Sequence, residues 1–221
     1  FSESVSESTT WTYSIPFACP SDPSLYSQGT VTIADINTAT IVETGESVSR
    51  TVTLDCYAPL VEVDADTEWY DEYTWSIVKA VEPASHAGLA GDTFTSTYTV
   101  TVDQTVAPSG HRAFGTITVT NPHPELQMTA AVKGGIDGIP ASIQCGDPTA
   151  ELTVEPTATG TCTYTVDLPD TADRTNTVTV TLDTIPFTAT ADVSFGDPGV
   201  EGFPTIHVTD HFDPHGAAVV E

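Results

Sequence analysis

The chain is expected to be all-β, a sandwich of stacked antiparallel sheets, and three observations carry that reading. Thr and Val alternate at period two along most of the sequence: TVTIADINTATIV (30–42), SVSRTVTLD (47–55), TFTSTYTVTVD (93–103), AFGTITVTN (113–121), TCTYTVDL (161–168), NTVTVTLD (176–183) and FTATADVSF (187–195). Both residues are stiff at χ1 and suit a pleated surface. Turn-forming clusters punctuate the runs, namely ETGE (43–46), APSGH (107–111), NPHPE (121–125) and DTIP (183–186). No long stretch carries a helical apolar stripe, so any helix should be a short connector.

The order of the runs suggests two related units. NTATIVETGESVSRTVTLDCYAP (37–59) parallels NTVTVTLDTIPFTATADVSFGDP (176–198) in strand length and turn placement. A tyrosine strand precedes each, Thr12 to Ile15 and Thr163 to Val166. Offsets of about 140–150 residues fit one immunoglobulin-like unit plus decoration. The expected division is a partial sandwich over 1–66, a complete immunoglobulin-like sandwich over 67–202, and a C-terminal strand and tail over 203–221. The start at Phe1, in mid-repeat, reads as a processed product or a cut fragment. An incomplete sandwich has open edges and half a core. A strand from a neighbouring molecule could complete it, and Thr205, Ile206, Val208 and Phe212 are the candidate donor residues. The alternative is closure by the chain's own N-terminal segment.

Charge narrows the partners. With Lys+Arg 5 against Asp+Glu 31, the formal net charge is -26. Phosphate binding needs clustered cations, so nucleic acid is excluded as a natural partner. Anionic membrane surfaces are disfavoured by the same repulsion, and no apolar run is long enough to span a membrane. Hydrophobic residues at 39%, with 8 Phe, 7 Tyr and 3 Trp, argue for packed cores under an acidic coat rather than for disorder.

From Tyr73 to Val180 the chain resembles the immunoglobulin-like repeat domains of bacterial and archaeal surface proteins. The residues that carry the likeness are TWSIVK (74–79), Gly91-Asp92 before Tyr98-Thr99-Val100-Thr101-Val102, then Thr118-Val119-Thr120-Asn121, and late in the unit Asn176-Thr177-Val178-Thr179. The resemblance implies a mechanical or adhesive role. The sequence departs from it at DQTVAPSGHRAFG (103–115), read as an extra hairpin. In such domains a lysine on an early strand can fuse to a late asparagine as an isopeptide bond. That chemistry needs a buried, neutral amine and a nearby carboxyl. Lys79 with Asn176, or else Asn121, would be the pair, with Asp103 or Asp167 as the acid. The alternative is a strand-end lysine that reaches water.

Cys19, Cys56, Cys145 and Cys162 form an even set without a Cys-x-x-Cys pair, which favours two disulfides in an oxidising compartment. Local pairing is expected over the two other connectivities. Cys145 and Cys162 bracket a hairpin-sized loop containing Pro148, Pro156 and Gly160, while Cys19 and Cys56 both lack counterparts in the second unit.

Two clusters could hold ions. Asp64, Asp66, Glu68, Asp71 and Glu72 lie in EVDADTEWYDE (62–72), where Ca²⁺ would stiffen a joint between units. A solvated acidic linker is the alternative reading. His207, Asp210, His211, Asp213 and His215 could offer Zn²⁺ or Cu²⁺ a surface site, or be an incidental mixture. His123, between two prolines, reads as a rigid turn residue.

No nucleophile elbow, His-Glu-x-x-His, P-loop or glycine-rich dinucleotide fingerprint occurs, so an enzyme is not expected. The expected function is a structural subunit of an extracellular filament, stalk or surface layer, with copies of itself or tandem repeats as partners. The competing expectation is an adhesin module that recognises carbohydrate or protein through Trp69, Tyr70 and Tyr73.

Overall fold

The computed structural model describes residues 2–146 and 151–212. Its strands are β1 (Thr30–Thr40), β2 (Ser47–Tyr57), β3 (Leu60–Val63), β4 (Asp66–Glu82), β5 (Thr97–Thr120), β6 (Met128–Ile136), β7 (Ile139–Pro140), β8 (Ser142–Gln144), β9 (Glu151–Val154), β10 (Thr159–Asp167), β11 (Arg174–Leu182), β12 (Ile185–Val193) and β13 (Gly199–Gly202). The only helical element among the described residues is a 3-10 turn, Pro23–Leu25, capped by the Asp22 side chain. No helix of the described residues is long and apolar enough to cross a membrane.

The fold is all-β, and two of its sheets stack as a sandwich. One runs β13-β4-β5-β10-β8, with β3 also on β5; the other runs β12-β11-β6-β7, with β9 on β6. All pairings are antiparallel except β13 on β4. Period two places Cys162, Tyr164 and Val166 of β10 inward, facing Val178 and Val180 of β11 and Val132 and Ile136 of β6. Ala113, Ile117 and Val119 complete the layer from the far half of β5. Burial of each such Val or Ile contributes roughly 1.5–3 kcal/mol, and the threonines between them face water. Tyr164 lies opposite Gly115, where a Cβ would stand 3.0 Å from the tyrosine ring. The ring can therefore lie flat over β5 and donate its hydroxyl to the Asp64 carbonyl at 2.7 Å. Burial, above all, pushes this phenol above its ordinary pKa.

β5 is far longer than the sandwich. Its buried positions begin only at Ala113, so 97–106 and the matching 73–82 of β4 project beyond the sandwich as a two-stranded arm, about 30 Å long at the usual rise per residue. A second arm is the β1–β2 hairpin, a separate two-stranded sheet. Its base is anchored beside the other end of β5. Tyr57 packs on His123 at 4.6 Å between ring centroids, Tyr26 on Phe187 at 6.1 Å, and Ala58 N–H donates to the Gly29 carbonyl at 2.9 Å. The two arms thus leave from opposite ends of β5.

Three sequence expectations are corrected. The stretch 62–72 is no linker: Glu62 and Val63 end β3, and Asp66 to Glu72 open β4. Its acidic residues alternate with Val61, Val63, Thr67 and Trp69, and that alternation forms sheet. Residues 103–115 form no extra hairpin either, since β5 runs through APSGH without a turn. Gly110 (φ 64°) and His111 form a bulge opposite Trp69, where the β4–β5 register shifts between Glu68 and Tyr70, and Pro108 stays in register opposite Asp71. Finally, Thr12 to Ile15 lie outside any strand. The boundary expected at 66–67 falls inside β4, just after its first residue, and β3 and β4 both pair with β5.

Candidate functional site

Among the described residues, two grooves and much of the exposed apolar surface lie on the two arms and on the segments over them. In the β4–β5 arm Trp75 stands opposite Gln104, Ile77 opposite Val102, Lys79 opposite Val100 and Val81 opposite Tyr98. These side chains share one face. The other face carries Thr74, Ser76, Val78 and Ala80 with Thr105, Asp103, Thr101 and Thr99. One face is apolar, its reverse rich in hydroxyls.

The apolar face is partly covered by the chain's own C-terminal segment. β13 pairs in parallel with Tyr70 to Tyr73, and the chain then leaves the ladder at Gly202 (φ 80°). A Cβ at Gly202 would stand 2.6 Å from the Tyr73 carbonyl oxygen, so the exit requires glycine. Beyond it, Trp75 Nε1–H donates to the Phe203 carbonyl at 2.7 Å and Gln104 Nε2–H to the Pro204 carbonyl at 3.2 Å. Lys79 Nζ meets Asp210 Oδ1 at 2.5 Å and stands 4.9 Å from the Tyr98 ring centroid. Residues 203–212 form no strand, and the hold is by side chains. Ile77 remains 61% exposed, Val208 46% and Phe212 74%.

The β1–β2 arm repeats the design. Val31, Ile33, Asp35, Asn37 and Ala39 share a face with Cys56, Leu54, Val52, Arg50 and Val48. The N-terminal segment lies over it, tied by the Cys19–Cys56 disulfide and by Asn37 Nδ2–H donating to the Tyr13 hydroxyl at 2.6 Å. A groove of about 500 Å³ runs between Tyr13, Ile15 and Phe17 on one side and Asp35, Asn37 and Val52 on the other.

Both disulfides have the expected local pairing, Cys19–Cys56 and Cys145–Cys162, and no cysteine is free. Such a pair marks an oxidising environment. The candidate donor residues Thr205, Ile206, Val208 and Phe212 lie in the extended segment on the chain's own arm.

The structure does not bring the isopeptide pair together. Lys79 is half-exposed on the arm and engaged by Asp210, whereas Asn121 and Asn176 are buried in the body. Asn121 pins the loop after β5, its Nδ2–H groups reaching the carbonyls of Leu126 (2.8 Å), Val154 (3.0 Å) and Glu155 (3.2 Å) while Oδ1 accepts from His123 N–H (2.9 Å). His123 continues the turn, Nδ1 accepting from the Glu125 and Leu126 amides. Asn176 approaches the Tyr164 hydroxyl, whose proton goes to the Asp64 carbonyl and whose oxygen could still accept from Nδ2–H, but neither Asn176 amide atom reaches hydrogen-bond geometry.

The expected metal clusters are dispersed, and among the described residues no group of three or more His, Cys, Asp and Glu could hold an ion. Asp64 accepts the Thr116 amide at 2.5 Å, and Glu68 pairs with Arg112 and the Tyr70 hydroxyl. Asp66, Asp71 and Glu72 are spread along β4, where alternate residues point to opposite faces. In the tail Asp210 is bound to Lys79, His207 and His211 join no cluster, and Asp213 and His215 lie outside the described residues. Trp69, Tyr70 and Tyr73 are half-buried under 194–202: Trp69 Nε1–H donates to the Gly196 carbonyl at 2.8 Å, and Tyr70 packs on Gly199.

One contact escaped the sequence reading. His86 Nε2 and Ser96 Oγ stand 2.8 Å apart in the loop closing the β4–β5 arm. The serine donates to the Pro83 carbonyl at 2.7 Å and so must accept from the imidazole. That polarity staples the loop and leaves the histidine unable to act as a base toward this serine. Comparison with known protein families, curated proteins and solved structures finds no match for the chain.

Proposed function

We propose that the chain is a structural subunit of an extracellular filament, stalk or surface layer, whose copies join through the two arms. The observation that carries this reading is the pair of β-arms at opposite ends of β5, each presenting an apolar face beyond the sandwich. A two-stranded hairpin is marginal in water by itself, and its stability grows when a further layer covers its apolar face. Exposed apolar surface on projecting elements is a mark of association. Two disulfides and a net charge of -26 accord with a secreted chain that stays dispersed until it docks specifically. The immunoglobulin-like type of the sandwich and the likeness to surface repeats belong to the same reading, as does a role without catalysis. An adhesive role through Trp69, Tyr70 and Tyr73 has less support, because the Trp69 and Tyr70 rings are engaged within the chain.

The test is the particle the purified chain forms. Light scattering and negative-stain electron microscopy across a concentration series should yield ordered multimers joined at their ends. Monodisperse monomers at every concentration and salt would overturn the reading.

A further inference from the structure

We infer that residues 203–212 are an exchangeable strap: in the single chain they lie on their own β4–β5 arm, and in an assembly they lie on the same face of a second copy. The inference rests on the proposed self-association and assigns it a segment, a seat and a hinge.

The seat is the face of Trp75, Ile77, Lys79, Val81, Tyr98, Val100 and Val102. Its occupant is known because the chain's own segment is already there, held by Trp75, Gln104 and Lys79. Every one of those contacts can form equally between copies, which is what makes exchange of an identical element cheap. The hold within one chain is thin. It uses side chains without a β-ladder, and it leaves Ile77 on the seat and Val208 and Phe212 on the strap more than two-fifths exposed. The body gives up nothing when the strap leaves, since 203–212 contributes no residue to the buried core.

Charge fixes who may sit there. Lys79 is one of 5 cations in a chain carrying 31 carboxylates, and it points at the strap's Asp210. A strongly acidic chain repels its own copies almost everywhere. The strap's single carboxylate, Asp210, placed against Lys79 is an attractive exception that gives the docking a register. The hinge is Gly202, whose positive φ turns the chain out of the β13 ladder immediately before the strap begins.

Single thiols test this directly, because all native cysteines are in disulfides. Lys79→Cys and Asp210→Cys replace half-exposed side chains, with circular dichroism and melting as checks on the fold. Neither variant can close a 79–210 bond within its own chain. Mixed and mildly oxidised with diamide, the two should give several-fold more covalent dimer than either alone, with 79–210 linkage found by peptide mapping. The double variant should shift from closed monomer to linked multimers as concentration rises. The inference is overturned if the mixture gives no excess dimer while the double variant closes only within one chain. Should multimers persist by light scattering without the 79–210 link, the strap assignment falls and self-association stands. Should no multimer form at all, both fall.

Discussion

Asn176 is the residue whose chemistry sits worst with its surroundings. Its inward position on β11 puts an amide among valines, fully buried, with neither amide atom hydrogen-bonded. An unsatisfied buried amide costs about 1–3 kcal/mol, whereas a β-branched apolar residue of similar bulk suits that strand position. Asn176→Val is therefore expected to raise stability by about 1 kcal/mol, read as a higher urea midpoint with unchanged slope. Arg174 is the opposite case. It is nearly buried and satisfied by Asp170 Oδ1 at 2.5 Å and by the carbonyls of Asp170 and Ala172. The Ala172 amide first, and Arg174 second, hold the Asp170 carboxyl below its ordinary range. The folded state thus binds that proton less readily than the unfolded chain. Its contribution is complete above the usual carboxylate pKa and disappears as pH falls through the lowered value. Acid titration of Arg174→Ala should accordingly show lower stability near neutral pH and a somewhat shallower loss below pH ~4 than the parent, because the part of the acid-labile contribution that Arg174 supplies is gone while the Ala172 amide's larger part remains.

Among the elements, the disulfides and arms separate into one part that holds the body and another that shapes the periphery. Cys162 is fully buried and belongs to the core, and its bond to Cys145 closes a short loop. Replacing both with alanine should lower global stability by about 3 kcal/mol, seen as a single shifted melting transition. Cys19–Cys56 instead ties the N-terminal segment to its arm. Its removal should expose 2–29 to proteases and largely spare the main transition. Gly202 marks the other junction. Gly202→Val would strain the positive φ and drive Cβ into the Tyr73 carbonyl, so β13 should detach from β4. Burial of Trp75 under the strap would be lost, and its fluorescence should shift to the red while sandwich melting changes little.

For the whole molecule, self-repulsion sets the conditions for assembly. With a net charge of -26, two copies approach against a field that salt shortens to about 8 Å at physiological ionic strength. Association should therefore increase from low salt to 150 mM and above, followed by light scattering. A decrease over that range would mean that charge pairs, rather than apolar faces, dominate the contact. The geometry adds a direction. Since the arms leave from opposite ends of β5, shortening one by deleting matched residues of β4 and β5 should stop growth at that end alone.

Period two was sufficient to identify β1, β2, β10, β11 and β12, because each alternates Thr or Ser with mostly apolar residues, and such alternation places the two kinds on opposite faces of a strand. Both disulfides were legible as well, Cys145–Cys162 from its hairpin-sized spacing and Cys19–Cys56 because neither residue has a counterpart in the second unit. β6 was not legible: MTAAVKGGI lacks β-branched bulk, and its glycines are needed where Val178 and Ile139 approach. Nor was the length of β5, because Pro108 and Gly110 spell a turn until pairing with β4 draws both into the ladder, with a β5 bulge at Gly110 and His111. Residues such as Lys79 and Asp210, 131 positions apart, carry no mark of each other in a one-dimensional pattern. Composition and alternation thus determine that this chain forms sheets, because side-chain direction is a local property. Which sheet stacks, which hairpin projects, and which face a terminal segment covers were decided only by tertiary packing, because those are competitions between distant surfaces for the same apolar area.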